Sequence, residues 1–171
     1  MKKIFLYSFI LILLGACSNA SNGRPTQRPV FSSKNLVYTA YSYIDLHERY
    51  DRQEIKELVG VDPVHTEWCA AFVNSILEQH NLPTSATVSD YPLTARSFLK
   101  WGEEVVIPKQ GDIIIFPRGN QGWQGHVAFY VSTKVINGIE YYFVIGGNQD
   151  NMVSIEGYPA HKALSIRRMI D

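Results

Sequence analysis

Hydrophobic and polar positions divide the chain into three stretches of different period. Residues 4–14 form an almost purely apolar run preceded by Lys2 and Lys3. From residue 34 to about 101, apolar positions recur every three or four residues. Leu36, Val37, Ala40, Tyr41 and Ile44 predict a helix over 34–48 capped by Ser33. Ile55, Leu58 and Val59 predict a short helix ended by Gly60, with Asp51 and Glu54 at capping-box spacing. Trp68, Ala71, Phe72, Val73, Ile76 and Leu77 cover a wide face, as in a buried helix running from Thr66 to about His80 and stopped by Asn81 and Pro83. Leu93, Ala95, Phe98 and Leu99 predict another helix over 92–101, before Gly102. Beyond Gly102 the period falls to two, and strands are expected over 104–107, 112–116, 126–135, 139–145, 152–156 and 164–168. Helices first and sheet second predict an α+β fold with an antiparallel sheet, not alternating βαβ units.

The first stretch reads as an export signal: a basic start, an apolar run too short to span a membrane, then Gly15-Ala16-Cys17. Leu14-Gly15-Ala16-Cys17 is similar to the lipobox of bacterial lipoproteins, which makes Cys17 the lipidated first residue of the mature chain. Ser18, rather than an aspartate, follows it, the pattern of sorting to the outer membrane where a source has two membranes. Residues 17–33 are polar and interrupted by Pro25 and Pro29, as in a flexible tether, leaving 34–171 as one folded domain. A monomer is expected, held at the membrane by its lipid.

Charge excludes one class of partner. The chain is balanced at 16 basic and 16 acidic residues, and removing Lys2 and Lys3 with the leader takes the net charge from 0 to −2. Nothing in that balance attracts nucleic acid.

With Cys17 lipidated, Cys69 is a single free thiol in an exported domain. Its place near a predicted helix start, after a Thr66 able to cap, predicts a lowered pKa and a nucleophilic thiolate. Of the five histidines, His126 stands apart from His47, His65, His80 and His161 because it opens a strand directly after the glycine-rich segment 118–125. No paired Cys or His spacing builds a metal site, and no cofactor is expected. Glu67 disfavours a thiolate beside it and is expected to cap or face solvent. Trp68, Tyr91, Trp101 and Trp123 are aromatic candidates for a cleft, with Trp123 foremost because its loop offers little to pack against.

The hairpin around Asn137-Gly138 sets a third residue. A three-residue loop pairs Val135 with Ile139 and places Asn148 opposite His126; a two-residue turn pairs Ile136 with Ile139 and places Gln149 there. Either amide would fix the imidazole tautomer, and Gly146 and Gly147 permit a bulge.

Four ordered blocks, Trp68-Cys69-Ala70-Ala71-Phe72-Val73-Asn74, Gly111-Asp112-Ile113-Ile114-Ile115-Phe116, Gly125-His126-Val127-Ala128-Phe129 and Gly147-Asn148-Gln149, together resemble bacterial papain-like cell-wall hydrolases, the broad group of CHAP amidases and NlpC-type peptidases. The resemblance spans about residues 35–169. It implies a papain-like fold, Cys69 as nucleophile, His126 as base, Asn148 as orienting residue with Gln149 as the alternative, and cleavage of amide bonds in peptidoglycan. CHAP domains commonly carry a glutamate two residues before the asparagine matching Asn148, where this chain has Gly146; NlpC-type enzymes often place a second histidine third, where this chain has an amide. The expected activity is therefore a stem-peptide endopeptidase or an amidase. A non-catalytic lipoprotein binding cell wall or a partner through the same cleft, and an acyltransferase using the same Cys-His site, are the alternatives. Cys69 N–H is the expected oxyanion donor, and Trp68 and Trp123 the expected substrate contacts.

Overall fold

The computed structural model describes residues 33–169. The leader, Cys17 and all of the tether except Ser33 lie outside the described residues. Three helices come first, α1 (Lys34–Tyr41), α2 (Arg52–Val59) and α3 (Cys69–Gln79). Six strands follow: β1 (Glu103–Glu104), β2 (Ile113–Pro117), β3 (Gly125–Ile136), β4 (Ile139–Gln149), β5 (Met152–Pro159) and β6 (Ser165–Arg168). They form one sheet of order β1-β6-β2-β3-β4-β5, antiparallel at every pairing. The expected α+β segregation is the architecture found.

Period-two alternation divides the sheet into two faces. Ile113, Ile115, Val127, Phe129, Ile145 and Val153 meet the helices in the main core, whereas Ile114, Phe116, Ala128, Tyr130, Val144 and Ile166 bury a second, smaller cluster on the other face. Helix α3 lies at the centre of the main core; every residue from Cys69 to Leu77 is buried, which explains its nearly uniform apolar composition.

Helix ends and caps differ from expectation in several places. The helix expected to reach residue 48 ends at Tyr41; the chain then turns through Asp45, at φ 69°, and lies along β5. There Asp45 N–H donates to Val153 O at 2.9 Å and Glu48 N–H to Asn151 O at 2.8 Å, which covers an edge strand. Asp51 does not cap α2 with its side chain; its carboxylate instead accepts the His47 backbone N–H at 2.9 Å. The helix expected over 92–101 is a 3-10 turn, Ala95–Lys100, followed by Gly102, whose added Cβ would lie 2.1 Å from Arg168 O.

Candidate active site

The thiol comes from the first residue of α3, where the helix end meets the sheet. Thr66 does not cap this helix: the N-cap position is Trp68, and no side-chain cap bond forms. Cys69 is only 3% exposed and lines a cavity of about 220 Å³ together with Glu67, Leu93, Arg118, Trp123 and Gly125. Burial pushes the thiol pKa up, which reverses the acidity expected from the helix terminus. The Arg118 cation and the backbone at Val127 and Ala70 pull the other way, while Glu67 adds to the rise. Desolvation wins because the thiolate would be taken out of water almost completely.

The imidazole comes from the second residue of β3. His126 is buried, and its Nε2 lies 2.9 Å from Gln149 Oε1. The Gln149 amide group donates in turn to Ser154 O at 2.7 Å. A carbonyl only accepts, so this second bond fixes which end of the amide faces the ring. Oε1 must then receive a proton, which places the hydrogen on Nε2 and the lone pair on Nδ1. Among the described residues, His126 Nδ1 is the buried side-chain N or O atom with no hydrogen-bond partner. Burial and the Arg118 cation hold the pKa down at about 3, against the opposing bond to Gln149, so the ring is neutral near pH 7. Nδ1 is the nitrogen nearer the backbone, and the next backbone unit, Val127, acts on the Cys69 thiol.

The hairpin reaches this pairing in three steps. Its turn has two residues, with Ile136 opposite Ile139, not the three-residue loop that sets Asn148 across from His126. The ladder then shifts between Tyr130 and Ser132 and settles with Phe129 opposite Ile145, a register that by itself would bring Asn148 back to His126. The β3–β4 pairing ends there, and an irregularity in the β4–β5 ladder, between Gly146 and Gln149 with Asn148 at φ 57°, turns Asn148 away again. Asn148 faces outward and donates to Glu67 at 2.6 Å, while Gln149 takes the place against the imidazole. The two glycines are required by packing. A Cβ on Gly147 would lie 2.3 Å from the Trp68 ring, and one on Gly146 would lie 2.7 Å from the Ala128 Cβ, so neither position has room for a side chain without a shift of its neighbour.

The aromatic candidates separate cleanly. Trp68 is fully buried, edge-on to Phe72 with its Nε1–H toward Glu48 at 3.4 Å, so it supports β4 from beneath and offers no surface to a substrate. Trp101 is also buried, donating to Pro83 O at 2.8 Å. Trp123 is 65% exposed and lines the cysteine cavity, and Tyr91 is 74% exposed beside a neighbouring one.

Sequence reasoning missed Arg118. It donates to Asn148 O at 3.1 Å, lies 3.8 Å from the exposed Glu67 carboxylate, and acts on both Cys69 and His126. The legible signal was a cation immediately after the strand that pairs with the histidine strand. Among the described residues, no three His, Cys, Asp or Glu side chains gather as a metal site.

The CHAP domain profile matches residues 61–148, a segment that contains Cys69, Arg118 and His126 and ends one residue before Gln149. Comparison with curated proteins gives no match.

Proposed function

The chain belongs to the CHAP domain family, whose members are generally hydrolases acting on peptidoglycan, and from that premise we propose that Cys69, His126 and Gln149 cleave an amide bond of peptidoglycan. The observation that carries this reading is His126 itself: a buried imidazole whose Nε2 is held by Gln149 and whose Nδ1 lone pair has no partner within the described residues. Such an arrangement is a base in the required tautomer.

Both groups are neutral at rest, since burial disfavours the thiolate and the imidazolium alike. Proton transfer from Sγ to Nδ1 therefore accompanies attack on the carbonyl, when substrate supplies an electrophile and excludes water. The imidazolium then protonates the leaving amine, and water, deprotonated by the same nitrogen, hydrolyses the thioester. Cys69 N–H, in the first turn of α3 where backbone donors have no helical acceptor, is placed to stabilise the oxyanion. Gln149 is the orienting residue, and Asn148 holds Glu67 at the cleft mouth. Lipidation at Cys17 would anchor this activity to the cell envelope, facing the periplasm on an outer membrane where two membranes are present.

Digestion of purified peptidoglycan by wild type, Cys69→Ala and His126→Ala proteins, with fragments identified by mass, tests the reading. Both variants should release no fragments; equal release by Cys69→Ala would remove the thiol from the mechanism. Burial of Cys69 favours one second reading, a cleft that binds cell wall without cutting it. That reading predicts binding with no new fragment from wild type. Mass of the mature N-terminus in wild type and Cys17→Ala tests the anchor.

A further inference from the structure

The cysteine cavity continues into a larger one. A trough of about 580 Å³ adjoins it, and the two share Thr94 and Trp123 as lining residues. Two exposed aromatic rings, Tyr91 and Trp123, line this trough, and its polar lining includes Asp90, Arg96, Ser97 and Lys100.

Both walls are fixed before any ligand arrives. The buried Asn74 of α3 donates to Ser85 Oγ at 3.1 Å and to Pro92 O at 3.0 Å and accepts Ser85 N–H at 3.0 Å, so the loop carrying Tyr91 is held at both ends by the helix that carries Cys69. On the other side Arg96 Nε donates to Gln124 O at 2.8 Å, and Gln124 Oε1 accepts the N–H groups of Asn120 and Gln121 at 2.8 and 2.9 Å, which sets the Trp123 loop. Large exposed aromatics on rigid loops contribute contact area at little entropic cost.

The lining selects among the parts of peptidoglycan. An extended peptide is bound well where a free strand edge continues its hydrogen bonding. The edge strands here are β1 and β5, and neither contributes to the trough. A pyranose ring, by contrast, presents an apolar C–H face that packs on an aromatic ring, with hydroxyls around its rim that pair with carboxylate, guanidinium and hydroxyl groups.

We propose that this trough is a saccharide subsite, which receives an N-acetylated sugar of the glycan strand beside the thiol and so directs cleavage to the amide joining glycan to peptide. The identity of the bond rests on the hydrolase reading above; sugar binding does not. The test keeps the two apart. Cys69→Ser protein is titrated with soluble N-acetylglucosamine oligomers and followed by tryptophan fluorescence and calorimetry. Saturable binding that Tyr91→Ala weakens about tenfold is expected; no binding overturns the subsite even if wild type digests peptidoglycan. Wild type and Tyr91→Ala are then compared on a disaccharide-peptide and on the same peptide carrying a small acyl group in place of the disaccharide, which keeps the scissile amide and lacks the sugar. The kcat/KM loss should be at least about fivefold larger for the sugar-bearing substrate, residing in KM, and wild type should release the free disaccharide. Equal losses on both substrates, or peptide fragments that all retain their sugars, overturn the proposal. Tyr91 is exposed, so its removal leaves the core intact, and failure of wild type to cut either substrate while Cys69→Ser still binds sugar would sink the hydrolase reading alone.

Discussion

In the outer half of the β3–β4 hairpin, residues 132–136 pair with 139–143 in unbroken register, and most side chains face solvent or are half-buried. In the inner half, toward His126 and Gln149, the β3–β4 ladder slips at Tyr130/Ser132, the β4–β5 ladder slips at Gly146/Gln149, and nearly every side chain is buried. Strand β4 thus has a regular half and an irregular half, and the candidate site lies at the irregular one. Uniform antiparallel pairing would place Asn148 or Gln149 opposite the imidazole according to register alone. The second irregularity does more: it turns one amide out to Glu67 and the other in to His126, so adjacent residues serve different ends of the cleft. Bulges beside functional sites re-aim side chains in this way.

The largest way to expose this contrast is through pH. The folded-state pKa of His126 is held at about 3, against about 6.5 in the unfolded chain, so unfolded protein binds more protons between those values. The contribution of this group to stability is therefore full above pH 6.5 and falls as pH drops through 6.5 toward 3, by an expected total of about 5 kcal/mol. Denaturant titrations of wild type and His126→Gln at pH 7 and pH 4 isolate it, because the exposed carboxylates titrate in both proteins. Parallel pH dependence in the two would show that the imidazole is not held neutral. Next in size, Gln149→Leu removes the acceptor that fixes the tautomer and should lower kcat by about a hundredfold or more. Asn148→Gly keeps the positive φ and removes only the Glu67 contact, so its loss should be under about fivefold. Reversal of that order, read from initial rates on peptidoglycan fragments, would make Asn148 the orienting residue.

The strands were legible from the chain, and their register was not: the chain left a two- or a three-residue turn open at Asn137-Gly138, and the structure has the two-residue one. Runs rich in β-branched and aromatic residues, such as Ile113 to Phe116 and Val127 to Val131, locate the strands because strand preference is a property of the sequence itself. Which amide meets His126 depends on the Trp68 ring pressed under Gly147, a contact made by residues far apart in the chain. The same ring explains why Trp68 proved to be support and not substrate surface. Cys69 divides similarly. Its place at a helix start could be read from the pattern, but its burial by residues from three other segments, which raises the thiol pKa, could not. Asn74, five residues after the cysteine, gains its meaning from the loop it pins, a contact that the chain alone does not show.

Glycine substitutions compare the two ends directly. Gly147→Ala places a methyl group against the Trp68 ring and the Phe72 Cβ, so it should destabilise by about 1–3 kcal/mol and lower activity as β4 shifts away from His126. Gly138→Ala at the hairpin turn meets no atom within 4 Å and should cost only the penalty of φ 77° for a residue with a side chain, about 1 kcal/mol, with activity retained. Urea denaturation at pH 7 measures both. An equal cost and equal activity would mean that the packing beneath Gly147 does not position the site.

The smallest expected effect belongs to the outer half. Val135 is exposed in β3 and pairs with Glu140, and threonine preserves its shape and strand preference while replacing one methyl group with a hydroxyl that water can satisfy. Val135→Thr should therefore change stability by no more than about 0.5 kcal/mol and leave peptidoglycan digestion unchanged. The ladder here is regular, and the nearest ladder shift lies at Tyr130/Ser132, between this position and His126. A loss of activity without loss of stability would show that the outer end of the hairpin communicates with the imidazole, and the separation between a scaffold end and a chemical end would then fail.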